Sequence, residues 1–360
     1  MKSTRGRVVE VDSTAELDRR LAAGARSLTG WHLRSVDFSE RGDALRELRV
    51  AGALFLGCTF AAGDEEDVRH RGGIVFPAVP HSPVDAYRTT LYTADELYGS
   101  GSYGEAMDAR VYAWSRQPGD PERALARALH DHAIDEALAD WTRDRSLVGV
   151  MGGHATERDQ PAYTEAARLG YLLAQRATVA SGGGPGAMEA ANLGAWLSRR
   201  DVDVIDEAVA VLAEVPSFRP SVGAWARAAF AVRRRWPDGA ESLGIPTWHY
   251  GHEPPNAFAS AIAKYFHNAT REAILLQECD AGIVFLPGAG GTVQEIFQDA
   301  CENYYADPSA AAPMVLVGRA HWTDEMPAWP LLERLARGRP MEKHVHLVDT
   351  VEEAAAVVAG

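Results

Sequence analysis

Two segments of the chain set a cluster of glycines between an apolar run and a helical pattern. In SGGGPGAMEAAN (181–192), Gly182, Gly183, Gly184 and Gly186 precede Met188 and Glu189. In FLPGAGGTVQEIFQDA (285–300), Pro287, Gly288, Gly290 and Gly291 precede Thr292 and Glu295. Glycines let a backbone approach a ligand closely, and the helix that follows offers unpaired amides and the positive end of its dipole. Both segments therefore suit a phosphate. Glu295 comes three residues after Thr292, about 4.5 Å further along the axis at ~1.5 Å per residue and on nearly the same face. A phosphate at the helix mouth leaves that carboxylate beside the sugar of a 5′-nucleotide, where it can stabilise an oxocarbenium-like sugar or activate water. The plain alternative is a first-turn glutamate favoured by the helix dipole. Glu189 carries the same pair of readings. Neither segment is a GxGxxG dinucleotide fingerprint, and no lysine precedes Thr292 as a Walker loop requires. Gly152, Gly153 and His154 close a third apolar run, where nucleotide contacts also fall.

The elements that must position these residues alternate. Strand-like runs at 146–154, 178–186, 244–250, 281–288, 313–318 and 345–349 are separated by helical spacing at 161–176, 187–200, 256–278, 291–306 and 327–337, with a closing helix. Uniformly apolar strands alternating with helices predict an α/β domain over 146–360: a Rossmann-like, doubly wound parallel sheet with helices on both faces. Both glycine loops then lie at the carboxyl ends of parallel strands and flank one crevice. The segment 215–243 interrupts the sheet and is expected to form a helical lid, with Arg233, Arg234 and Arg235 at a helix end. Residues 1–145 predict a smaller N-terminal accessory domain: 31–60 is strand-like with polar interruptions, 72–87 loop-like, 98–104 turn-rich, and 121–143 an amphipathic helix. No internal repeat is evident.

Composition bounds the remaining choices. The chain has 360 residues, 46% of them hydrophobic and 24% charged, with a formal net charge of -14. That apolar content excludes a mainly disordered chain. No apolar run approaches the ~20 residues needed to span a bilayer, and the opening MKSTRGRVVEVDST has no apolar signal core. The acidic balance argues against nucleic acid and anionic membrane as partners. A small phosphorylated ligand is compatible with it. Three cysteines, Cys58, Cys279 and Cys301, form neither a disulfide framework nor a metal pair and read as small buried hydrophobes in a reducing cytoplasm. His249, His252 and the other histidines show no metal-ligand spacing, so no metal is expected. Lysine occurs only at Lys2, Lys264 and Lys343, and Lys264 falls inside the helical run 256–278. A pyridoxal-dependent enzyme would have to use it.

The paired motifs resemble those of the LONELY GUY (LOG) type phosphoribohydrolases, whose patterns are GGGxxGxM and PGGxGTxxE. The resemblance covers about 147–358. It implies a Rossmann-like fold, cleavage of the N-glycosidic bond of nucleoside 5′-monophosphates to free base and ribose 5-phosphate, no metal or organic cofactor, and a homodimer. Some members activate cytokinins, some are broader nucleosidases, and some relatives only bind, such as molybdenum-cofactor carriers. A noncatalytic nucleotide-binding carrier or sensor is therefore the alternative. Many members were labelled lysine decarboxylases. The resemblance makes Glu295 the residue acting at the ribose and Gly288, Gly290, Gly291 and Thr292 the phosphate loop. Arg271 corresponds to the arginine of an MHxRK segment, as a phosphate or transition-state clamp. This chain departs from the pattern in reading FHNATREAI there and in carrying Ala289 for a glycine, a methyl tolerable only at negative φ.

Overall fold

The computed structural model describes residues 8–79, 82–118, 121–249 and 253–358. The chain divides into two compact units: residues 1–90 with 118–137, and residues 91–117 with 138–360. The segment 91–117 thus groups with the second unit, not with the N-terminal part expected to run unbroken to 145.

The first unit comprises β1 (Val9–Val11), α1 (Thr14–Ala22), β2 (Trp31–Arg34), α2 (Gly42–Glu47), β3 (Leu54–Leu56), α3 (Asp64–His70) and β4 (Ile74–Phe76). Its sheet is parallel in the order β1-β2-β3-β4. Val9 lies opposite Trp31, His32 opposite Leu54 and Leu54 opposite Ile74, steps of 22, 22 and 20 residues. Gly30, Gly52 and Gly72 open successive strands with φ of 76°, 74° and 85°. These are stacked strand–helix coils, a short repeat in which each coil buries its apolar side against the next. Leu33, Phe55 and Val75 form that seam. The expectation of no repeat is corrected: only spacing and one inward side chain per coil recur, so residue-by-residue similarity is faint. The loop-like 72–87 supplies β4, and the strand-like 31–60 contains α2.

The second unit begins with α4 (Ala94–Tyr98) and α5 (Met107–Ser115). Helix α6 (Pro121–Thr142) follows, and the division between units falls within it. Then come β5 (Leu147–Met151), α7 (Pro161–Leu173), β6 (Thr178–Ser181), α8 (Ala187–Leu197), α9 (Val204–Ala213), α10 (Val222–Arg235), β7 (Ser242–Gly244) and β8 (Ala261–Ile262). The remainder is α11 (Asn268–Glu278), β9 (Ile283–Phe285), α12 (Gly290–Tyr305), β10 (Met314–Val317), α13 (Trp329–Ala336), β11 (Val345–Val348) and α14 (Val351–Val358). Seven parallel strands form one sheet in the order β11-β10-β9-β5-β6-β7-β8. The chain winds outward from β5 through β6, β7 and β8, then returns to β5's other side for β9, β10 and β11. The protein is α/β and Rossmann-like, and its direction of winding reverses between β5 and β9. Ligand crevices of open α/β sheets lie at such a point, outside the carboxyl ends of the strands. β5 and β10 are buried at every residue, as a sheet covered on both faces requires.

Three element expectations shift. The single helix expected over 256–278 is α11 alone. Ahead of it, Asn256 Oδ1 accepts from the amides of Phe258 (3.0 Å) and Ala259 (3.1 Å), and this side-chain alternative to helical bonding, after Pro254 and Pro255, leads into β8. Lys264 therefore follows a strand and lies outside any helix. The strand expected at 244–250 ends at Gly244, with Thr247 in an isolated bridge to Tyr265; Tyr250 and His252 lie outside the described residues. The segment 215–243 contributes α10, and its end joins the sheet as β7. Cys58 and Cys279 are buried as expected, whereas Cys301 is exposed.

Candidate functional site

A cavity of about 700 Å³ opens at the carboxyl ends of β5 and β9. Gly152, Gly153 and His154 line it from β5, and Pro287, Gly288, Gly290, Gly291 and Thr292 from β9 and the first turn of α12. Glu295, Arg271 and Met188 complete the expected residues that the fold brings together there.

The mouth of α12 is bare. A Cβ on Gly290 or on Gly291 would meet no atom within 4 Å, so both glycines leave space in front of first-turn amides that have no intrahelical partner. Ala289 stands at the N-cap with φ -121°, the negative value its methyl requires, and no side chain caps the helix. One turn inside, the Glu295 carboxyl is 15% exposed. Burial pushes it up to about 7; Arg271 opposes that rise, while the Glu272 carboxylate adds to it. Arg271 Nη1 lies 3.9 Å from Glu295 Oε1. Arg271 is itself held from behind: its Nε donates to the Ile245 carbonyl at 2.7 Å, and Nη2 lies 3.4 Å from the Gly182 carbonyl. Despite the FHNATREAI departure, Arg271 lines the same cavity as Glu295.

The first glycine loop has a different place. Gly182, Gly183, Gly184 and Gly186 do not line the cavity; they are buried behind it. A Cβ on Gly182 would stand 2.6 Å from both the Arg271 guanidinium and Met188 Sδ. Gly186 has φ +77°, and its Cβ position falls 2.7 Å from the His154 backbone, so the turn admits no side chain. The loop is fastened by residues that sequence reading passed over. Ser181 Oγ accepts from the Gly183 amide (3.1 Å) and donates to Asn192 Oδ1 (2.7 Å). Asn192 Nδ2 donates to the Leu243 carbonyl (3.3 Å), and Asn256 Nδ2 donates to Asn192 Oδ1 (2.9 Å). Asn192 is fully buried in a helix exposed only at Trp196 among its eleven residues. A lone amide in so apolar a helix was the available signal.

Glu189 does not line the large cavity; it adjoins a smaller neighbouring pocket and is fully buried, with Oε1 2.5 Å from Arg158 Nη2 and Oε2 accepting from Arg158 Nε at 3.0 Å. A buried carboxylate needs such a partner, and the one it found lies in the β5–α7 connection. At the end of α10, Arg233 pairs with Asp95 at 2.8 Å and lies over Trp196, while Arg235 pairs with Glu207 at 2.6 Å; neither lines the cavity. Lys264 is buried, 2.5 Å from Asp108, which also accepts from Trp248 Nε1 at 2.8 Å and from Tyr103 at 2.7 Å. Burial pulls the Lys264 ammonium below its ordinary range against the pull of Asp108.

Several cavity residues were not foreseen. His321, after β10, has its Nε2 3.0 Å from the Gly288 carbonyl, to which it can donate, and Nδ1 3.0 Å from Glu325. It stands at the end of the next strand along from β9, where the winding rule would have found it. Glu272 accepts from Asn268 Nδ2 and from Gln294 Nε2, each at 2.7 Å. Glu253 also lines the cavity, 3.9 Å from His154 Nδ1. Among the described residues no group of three or more His, Cys, Asp or Glu could hold a metal ion, and no helix is long and apolar enough to cross a membrane.

Strand order and crevice define the second unit as a Rossmann-like α/β protein with an anion-ready helix mouth at its winding reversal. No family model matches the chain, and no curated protein matches it. Among solved structures, it is similar to the molybdenum cofactor binding protein from the phototrophic bacterium Rippkaea orientalis, at 16% identity and a TM-score of 0.38 over 59% of this chain and 95% of that one. It is also similar to the molybdenum cofactor carrier protein of Chlamydomonas reinhardtii, at 18% identity and a TM-score of 0.36 over 59% of this chain and 96% of that one. The structure of TM1055 gives 18% identity and 0.36 over 59% and 98%.

Proposed function

We propose that the crevice binds a nucleoside 5′-monophosphate and hydrolyses its N-glycosidic bond, releasing the base and ribose 5-phosphate. The observation that carries this reading is Glu295: a buried carboxyl pushed up to about 7, one turn inside a bare helix mouth and beside Arg271. The phosphate sits against the first-turn amides of α12, where the dipole favours it. Arg271 neutralises charge between phosphate and carboxylate. As the bond from C1′ to the base nitrogen breaks, the electron pair leaves with the base and positive charge spreads over C1′ and the ring oxygen. Ionised Glu295 stabilises that charge and takes a proton from the water that attacks C1′; the Glu295 carboxyl then passes that proton to the departing base and is ionised again. A group titrating near neutrality suits this exchange.

The test is chromatography of the protein incubated with AMP, GMP, CMP and UMP, with Glu295→Gln alongside. Base and ribose 5-phosphate from wild type alone are expected. Undiminished release by the variant would remove Glu295 from the mechanism, and nucleotide binding without any product would move the reading to a carrier or sensor. The homodimer belongs to the same proposal, and sedimentation at the 38.9 kDa of one chain would contradict it.

A further inference from the structure

A second, smaller pocket of about 230 Å³ lies beside the crevice, and the two share His154, Ala155 and Thr156 as a common wall. Its other walls come from the turn into α8 and from the segment Pro216–Trp225. We propose that this pocket is the subsite for the heterocyclic base of the nucleotide, an inference that rests on the function proposed above.

Four observations support it. The first is aromaticity. Among the described residues the lining of the large cavity includes no Phe, Tyr or Trp, whereas Phe218 and Trp225 both line the small one. Their ring centres are 6.4 Å apart at 74°; Trp225 is 1% exposed and half-buried Phe218 is the more accessible ring, and flat heterocycles bind against such rings. The second is size. Pockets that enclose a whole drug-sized ligand run from roughly 300 to 1,000 Å³, so this one suits a single ring system with the rest of the ligand outside. The third is charge. The Arg158 guanidinium on its wall is already neutralised by Glu189 at 2.5 Å and lies over the Trp225 ring at 4.6 Å. Arg219, exposed and over the Phe218 ring at 5.4 Å, is the other arginine of the lining, and a guanidinium plane also stacks on a flat heterocycle. Hydroxyls of Thr156 and Ser217 in the lining offer donors and acceptors to the ring's edge.

The fourth is adjacency. The large cavity holds the α12 mouth and Glu295, and the small pocket adjoins it through the shared His154–Thr156 wall, so a nucleotide with phosphate and sugar in the first can place its base in the second. Phe218, Ser217 and Thr156 are thereby assigned to base recognition.

The experiment is titration of the full chain with AMP and with ribose 5-phosphate, which lacks the base. Two variants are compared: Phe218→Ala, which removes the half-buried ring, and Ser217→Trp, which fills the pocket. Both are expected to weaken AMP at least tenfold while leaving ribose 5-phosphate within twofold of wild type. Unchanged AMP affinity in both variants, or equal losses for the two ligands, would overturn the base subsite alone. So would a wild type that binds the two ligands equally tightly. A wild type that binds neither would overturn the base subsite together with the proposed function.

Discussion

Replacing Glu295 by glutamine separates two consequences of burying a carboxyl group beside the helix mouth. The native environment pushes this group from 4.5 to about 7, chiefly by burial. Its folded value lies above its unfolded one, so the native state prefers the protonated form. The associated stability is fully present below pH 4.5 and is lost as pH rises through 7. At about 1.4 kcal/mol per unit, the loss reaches on the order of 3 kcal/mol by pH 8 and stays below about 1 kcal/mol near pH 5. Glutamine is nearly isosteric and does not titrate. The variant should therefore unfold at almost the same urea concentration as wild type at pH 5 and at a clearly higher one at pH 8.5, while its turnover is lost at both. Equal urea midpoints at pH 8.5, or the same difference at both pH values, would refute the burial argument. Retained turnover would refute the catalytic role independently.

Arg271 opposes the rise of the Glu295 pKa, so Arg271→Gln should move that pKa above about 7 and carry the acid limb of the pH–rate profile to higher pH; nucleotide affinity should fall at least tenfold, since a charge-assisted contact is worth roughly 1.5–3 kcal/mol. Rates and titrations between pH 5.5 and 9 check both. Gly291→Ala meets no atom within 4 Å and adds a good helix former, so its stability should change by less than about 1 kcal/mol, yet its methyl stands where phosphate must approach and ribose 5-phosphate should bind more weakly. Calorimetric titration beside a thermal melt separates the two effects. Asn192→Ala removes a fully buried amide bonded to Ser181, Leu243 and Asn256, and should cost about 2–4 kcal/mol in urea unfolding.

The sheet was legible because its central strands are mostly apolar runs followed closely by glycine: β5, β6, β9 and β10 fall within the runs read for them. What misled was local pattern without its competitor. Residues 256–278 contain helical spacing, but the Asn256 side chain bonds the following amides and ends that option before Ser260. The coils of the first unit were illegible for a related reason. Trp-His-Leu, Leu-Phe-Leu and Ile-Val-Phe share a spacing and a direction of packing, not residue types. At the site, the placement of Thr292 and Glu295 along one cavity was legible because a helix fixes relative position over one turn. Glu189 was not, because its partner Arg158 lies thirty-one positions away, and a single sequence does not reveal which buried charge answers which.

The GGGPG loop serves the site largely from behind: Pro185 and Gly186 line the small pocket, while Gly182 to Gly184 line neither cavity. Gly182 presents backbone where a side chain would displace the Arg271 guanidinium, and its carbonyl faces the same group at 3.4 Å. Arg271 is further fixed by the Ile245 carbonyl, and the Ile245 amide donates to Ser181. Ser181, through its hydroxyl, holds the loop and Asn192 together. The glycines, β6 and the start of the β7–β8 connection thus form a rigid backing for one cation. A flexible arginine loses rotamer freedom worth as much as ~2 kcal/mol when it is ordered. Ordering it in advance, from behind, leaves its outward edge to act on Glu295 and on an incoming anion without that cost recurring at each binding event.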